Sequence, residues 1–255
     1  MHPILLHIGI FNIYSYGFFI GLGLFVSSYL FLKKARIYGY DVSKLENLMF
    51  CLFIFGIIGA RALYVILNFN YYSQNPLNII KVWEGGLVFW GGFIAAFFAA
   101  IILLKKYKYS VIDIADILSP FVVLGHAFGR IGCFMAGCCY GKATDCKLGV
   151  VFTNEYSLAP LNIKIHPTQL YESVGNFVIF FILLWIFKKR TFRGQVLGSY
   201  LVIYPVFRFF LEFFRDDDRG KIWIFSATQM ICALIFLIGI IVIYYGKSRA
   251  KIVKS

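Results

Sequence analysis

Long apolar runs alternate with short polar and basic stretches along this chain, and each run continues for about 20 residues, the length an α-helix needs to cross the hydrocarbon core of a bilayer. The short alternating segments of a β-barrel are not seen. Seven runs are read, at about 14–32, 48–67, 86–104, 112–128, 170–187, 196–214 and 224–245. They predict an all-α polytopic membrane protein, organised as one domain over 1–255 with a small outer head at about 141–165. The fourth run is interrupted by Asp113, Asp116, Pro120 and His126, so it reads as a helix that begins at the membrane interface. Residues 1–12 have no basic segment ahead of the first run, and no cleavable signal peptide is expected.

Composition agrees: 60% of the 255 residues are hydrophobic, 15% are charged and the mean hydropathy is +0.78. The net charge of +13 is spread over helix ends rather than gathered in a patch, which removes nucleic acid as a partner. With the N-terminus outside, 15 Lys and Arg fall in cytoplasmic loops and eight on the outer side, leaving Arg61 and Arg208 within spans. The positive-inside bias therefore predicts N-terminus out and C-terminus in. Trp83, Trp90, Trp185 and Trp223 stand near span ends, where an aromatic belt is expected.

An ionisable group at membrane depth needs a partner or a task. Arg61, in GARALY, is either a structural cation held by helix carbonyls or a carboxylate, or part of a polar cavity. Arg208 and Glu212 stand four residues apart on one helical face, with Arg215 extending that face to the outer water interface. The pair is either self-compensating or a device in which Glu212 orients the Arg208 fork towards a phosphate. His166, Gln169 and Glu172, spaced by three, share a face at the start of the fifth run, and His126 precedes Arg130 by four. The stretch 125–142, GHAFGRIGCFMAGCCYGK, sets Arg130 among five glycines, a pattern suited to holding an anionic group close to backbone. Six cysteines without a C-x-x-C pair indicate neither a zinc ribbon nor a thioredoxin-type motif, and no metal or cofactor is expected. A vicinal Cys138–Cys139 disulfide would be strained, so pairing with Cys146 or free thiols is expected instead. Cys51 and Cys232 read as packing residues.

Taken together, YSYGFFIGLG, GARALYV, EGGLVFWGGFIAA, GRIGCFMAGCCYGK, HPTQLYES and RFFLEFFRDDDRG, in that order across nearly the whole chain, resemble the prolipoprotein diacylglyceryl transferase family. The resemblance implies a bacterial inner-membrane enzyme working at the outer leaflet. Its reaction would move the diacylglyceryl group of phosphatidylglycerol to the lipobox cysteine of a prolipoprotein and release glycerol phosphate. It assigns Arg130 and Arg208 to phosphate binding and Glu212 to the acid on the same face. Tyr16 and Gly141 also stand at family positions, and Gly132, Arg61, His166 and Glu172 are further candidates for lining or supporting the substrate site. Two departures stand out. Trp90 occupies a position where the family commonly has histidine, and Cys133 and Cys138 replace its asparagine and glutamate. His166, His126 or Glu212 could then take the thiol proton. The same residues would also suit a protein that binds or moves anionic lipid, a paralogue with another acceptor, or a thiol redox or metal protein built on Cys133, Cys138, Cys139 and Cys146, though their irregular spacing counts against the last.

Overall fold

A computed structural model describes residues 2–8, 11–216, 221–222 and 225–254. Arg219, Trp223 and the first residue of the expected seventh run lie outside them. Seven helices are long and apolar enough to cross a membrane: α1 (Ser15–Ile37), α2 (Val42–Leu67), α4 (Phe89–Lys106), α5 (Val111–Ala136), α6 (Thr168–Lys188), α7 (Gln195–Leu211, prolonged by a 3-10 turn to Phe214) and α8 (Ala227–Lys254). A short α3 (Phe69–Gln74) follows α2. The protein is a multi-pass membrane protein.

Two features differ from expectation. The chain opens with an antiparallel hairpin, β1 (Ile4–Ile8) and β2 (Phe11–Tyr14), so the first span begins only at Ser15. The fourth span runs unbroken through Pro120 to Ala136, eight residues past its expected end, which carries Arg130 into the helix. Asp116 explains why a carboxylate is tolerated there. It is fully buried, and its two oxygens accept from the backbone N–H groups of Gly194 and Leu197, both at 2.8 Å, capping the free amides at the start of α7.

The chain forms two compact units, Met1–Phe31 with Ala115–Ser255, and Leu32–Ile114. In the second, α2 and α4 meet backbone to backbone: a Cβ on Gly91 would stand 2.3 Å from the Gly59 carbonyl oxygen, and one on Gly92 2.7 Å from that of Gly56. Small residues allow this approach, and dispersion then holds helices that gain no hydrophobic advantage over lipid.

In the first unit, α6 inverts soluble amphipathicity. Thr168, Gln169, Glu172, Ser173 and Asn176 are buried along one stripe, while Val174, Val178, Phe181 and Trp185 are exposed on the other. A stripe of buried polar groups is costly unless each finds a partner, so the inward face of α6 marks where chemistry is concentrated. The segment between α5 and α6 packs around Phe152, Ala159 and Ile165, with Phe134, Tyr140 and Val150 against them. Its short strands β3 (Val150–Val151) and β4 (Lys164–Ile165) pair antiparallel. Two further strands, β5 (Lys221–Ile222) and β6 (Phe225–Ser226), precede α8.

Candidate active site

Glu172 is the hub. Its side chain is fully buried, and two helices and the segment after α7 direct cationic or donor groups at its carboxylate. From α5, Arg130 Nε stands 3.2 Å from Oε2 and His126 Nε2 3.4 Å from Oε1. From α7, the Tyr204 hydroxyl is 3.4 Å from Oε1 and Arg208 Nε 3.8 Å from the same oxygen. From the residue after the 3-10 turn, Arg215 Nη1 lies 3.6 Å from Oε2. The spacing of four between His126 and Arg130 brings them to one face, where Arg130 Nε donates to His126 Nε2 at 3.1 Å.

A second carboxylate completes the arrangement. Glu212 Oε2 lies 2.6 Å from Arg208 Nη1 and 3.9 Å from Arg215 Nε, and Ser226 Oγ donates to Glu212 Oε1 at 2.8 Å. The i, i+4 pair expected from RFFLE is therefore formed. Among the described residues, three guanidinium groups share these two carboxylates. Arg208 is 3% exposed, and among the described residues no hydrogen bond reaches its Nη2. Both amide atoms of Asn176 and Oε1 of Gln169 are likewise buried without a hydrogen bond among these residues.

Arg215 is the residue sequence reasoning misplaced. It was expected at the water interface and is 4% exposed instead. The physical reason is the backbone: after α7 tightens into the 3-10 turn, a bridge pairs Arg215 with Gly141, and Lys142 N donates to Phe214 O at 2.9 Å, drawing the segment inward. Gly141 is required at that crossing, because a Cβ there would meet Phe214 O at 2.6 Å and His166 Cβ and Thr168 Cγ2 at 2.7 Å. Gly132 serves a similar end on α5, where a Cβ would stand 3.1 Å from Tyr16 O on α1. Tyr16 itself is 43% exposed.

The turn after α5 is fixed by Gly137, in the left-handed region at φ 80, and by Cys139 at φ 60. The carbonyls of Cys138 and Cys139 accept from Gln169 Nε2 (2.7 Å) and Thr168 Oγ1 (3.0 Å), and this ties the turn to the start of α6. All six cysteines are free thiols, and Cys146 is exposed. Despite their irregular spacing, the sulfurs of Cys133, Cys138 and Cys139 lie within 4.8 Å of one another. Hydrogen bonds from Cys133 and Cys138 push the Cys139 thiol well below its ordinary value, and a hydrogen bond from Arg215 acts in the same direction. Hydrogen bonding with Cys133 and Cys139 pushes Cys138 well above it.

Other expected residues make different contacts. Among the described contacts, His166 pairs through Nδ1 with the Tyr171 hydroxyl at 3.2 Å and packs against the Phe214 ring, and none joins it to Glu172. Arg61 belongs to the Leu32–Ile114 unit. There it donates to four carbonyls, those of Asn78 (2.6 Å), Gly85 (2.7 Å), Ile79 (2.8 Å) and Gly86 (3.2 Å), and lines a cavity of about 330 Å³ with Tyr64, Tyr71 and Tyr72. Trp90, in the same unit, is 48% exposed and packs edge-on against Phe89 and Phe93.

Known proteins share the order of motifs along the chain. The family model for prolipoprotein diacylglyceryl transferase matches residues 3–245. The phosphatidylglycerol–prolipoprotein diacylglyceryl transferase of Clostridium tetani is 38% identical over 251 residues, covering 98% of this chain and 100% of the relative. A protein of Clostridium perfringens named phosphatidylglycerol–prolipoprotein diacylglyceryl transferase 2 is 37% identical, covering 94% of this chain and 93% of the relative. A relative from Finegoldia magna is 33% identical, with 96% and 94% covered. The chain belongs to the prolipoprotein diacylglyceryl transferase family.

Proposed function

We propose that the protein transfers the diacylglyceryl group of phosphatidylglycerol to the lipobox cysteine of prolipoproteins, the first step of lipoprotein maturation, in the bacterial inner membrane with its site open to the outer leaflet. The observation that supports this most is the buried Arg208, which clusters with Arg130 around Glu172 and whose Nη2 has no hydrogen bond among the described residues. A phosphodiester supplies negative charge and acceptor oxygens. The planar guanidinium fork suits it better than a point charge would.

In the reaction, the acceptor sulfur forms a bond to the glycerol carbon that bears the phosphoester, that carbon–oxygen bond breaks, and the electron pair leaves on the phosphate of glycerol phosphate. No carbonyl is attacked. Arg130 and Arg208 clamp the phosphate as its charge grows, the kind of preorganised stabilisation that contributes most in a water-poor site. Glu212 orients Arg208, and Glu172 holds the cations of α5, α7 and the segment after α7 in one place. His126 is the proton acceptor the geometry offers. A proton taken from the substrate thiol at its Nε2 replaces the hydrogen bond from Arg130 and is paired with Glu172 Oε1, 3.4 Å away. Tyr16, Gly132 and Gly141 shape the walls, His166 and Thr168 fix the start of α6, and Arg61 supports the other unit.

The test is direct. Purified protein, phosphatidylglycerol and a lipobox peptide should give thioether-linked diacylglycerol on the peptide. Lipid binding without thioether product would replace the reading with that of an anionic-lipid binding or transport protein.

A further inference from the structure

We infer that Cys133, Cys138 and Cys139 form a three-sulfur site for a soft, thiophilic metal ion, outside the proposed transfer reaction. The cluster is built rather than accidental. Cys133 ends the buried face of α5 at 8% exposure, Gly137 turns the chain with φ 80, and Cys139 adopts φ 60. A non-glycine residue in that region costs of order 1–3 kcal/mol and persists only when its surroundings hold it there. Its surroundings do so here: the carbonyls of both turn cysteines are clamped by Gln169 and Thr168, and Cys138 N donates to Cys133 O at 3.1 Å. The result is three sulfurs within 4.8 Å of one another, on a turn fixed at both ends.

Metal–sulfur bonds of about 2.3 Å place ligand sulfurs roughly 3.7–4 Å apart in trigonal or tetrahedral geometry, so closure needs only small side-chain rotations. Thiolate ligands select monovalent copper and divalent zinc over hard cations. Cys146, exposed and outside the trio, provides an internal control.

The experiment uses the full-length protein in detergent, fully reduced and freed of reductant under argon, titrated separately with Cu(I) and Zn(II) against a chromophoric chelator. One equivalent of at least one ion should bind, and bound metal should shield Cys133, Cys138 and Cys139, but not Cys146, from alkylation, as read by peptide mass spectrometry. Cys138→Ser and Cys139→Ser should each weaken binding by more than the about 10–100-fold typical of losing an outer-shell partner, while Cys146→Ser should not change it. Failure of both ions to bind, or equal alkylation of all four thiols with metal present, overturns the inference on the unmutated protein. Unchanged affinity in the Cys138→Ser and Cys139→Ser variants also overturns it. None of these readouts requires lipid, peptide or transfer activity, so the proposed reaction stands or falls separately.

Discussion

Arg61 and Arg208 are both buried cations in membrane-spanning helices, and they are solved in opposite ways. Arg61 is 6% exposed and all three of its nitrogens donate to backbone carbonyls of the segment between α3 and α4. Two tyrosine rings lie 5.3 and 5.6 Å from its guanidinium carbon. Its hydrogen-bonding capacity goes to organising its own unit. Arg208 shares two carboxylates with two other arginines and, among the described residues, keeps a nitrogen without a hydrogen bond. A carbonyl-bound cation is a finished structural element, whereas a cation in a shared cluster is poised for an anion. Burial alone does not distinguish structure from site. The partner ledger does.

The strongest way to break this contrast is to remove the hub. Glu172→Ala leaves three arginines without their shared carboxylate, and stripping one partner from a buried ionic group costs about 3–5 kcal/mol. We expect a large drop in the thermal midpoint in detergent and loss of thioether product. A variant that kept both would remove Glu172 from the centre of the cluster. Next is Arg208→Lys, which keeps the charge and discards the fork. The fold should survive, with transfer reduced roughly 100- to 1,000-fold, the effect of losing one preorganised donor. Near-normal turnover would show that a point charge is enough and that the fork plays no part.

Much of this was legible in the chain. Apolar run length gave all seven spans, and the spacing of four gave the Arg208–Glu212 and His126–Arg130 pairs, because local helical geometry alone decides both. What periodicity cannot supply is depth and convergence. Arg215 continues the face of Arg208, but its burial depends on a bridge to Gly141, which is 74 residues away in sequence. Glu172 was read as a member of a polar face, and its role as hub needed α5 and α7 to be docked on α6. The cysteines were discounted for their spacing, yet a turn through two positive-φ residues gathers three of them. The partners of Arg61 come from an irregular segment that no repeat announces.

Arg61→Lys tests the other side of the contrast. An ammonium cannot reach four carbonyls spread around a planar fork, and each buried acceptor left without a donor costs about 1–3 kcal/mol. The expected signature is lost stability, with turnover per folded molecule falling far less than in Arg208→Lys. Comparable losses of turnover in the two variants would erase the distinction between a finished cation and a poised one.

The smallest effect separates backbone placement from charge. Gly141→Ala puts a Cβ against Phe214 O, His166 Cβ and Thr168 Cγ2, and overpacking of that kind typically costs about 1–3 kcal/mol. Because Gly141 bridges Arg215, the strain should also shift Arg215 relative to Glu172, so turnover should fall by more than the loss of folded protein explains. Gly129→Ala, in the same signature stretch, meets nothing within 4 Å and lies inside α5, where alanine is favoured by about 0.5–1 kcal/mol. It should leave the thermal midpoint unchanged or slightly raised. If both substitutions behaved alike, the position of the Arg215 backbone would have no bearing on the cluster, and its arginines would have to act without the crossing that Gly141 makes possible.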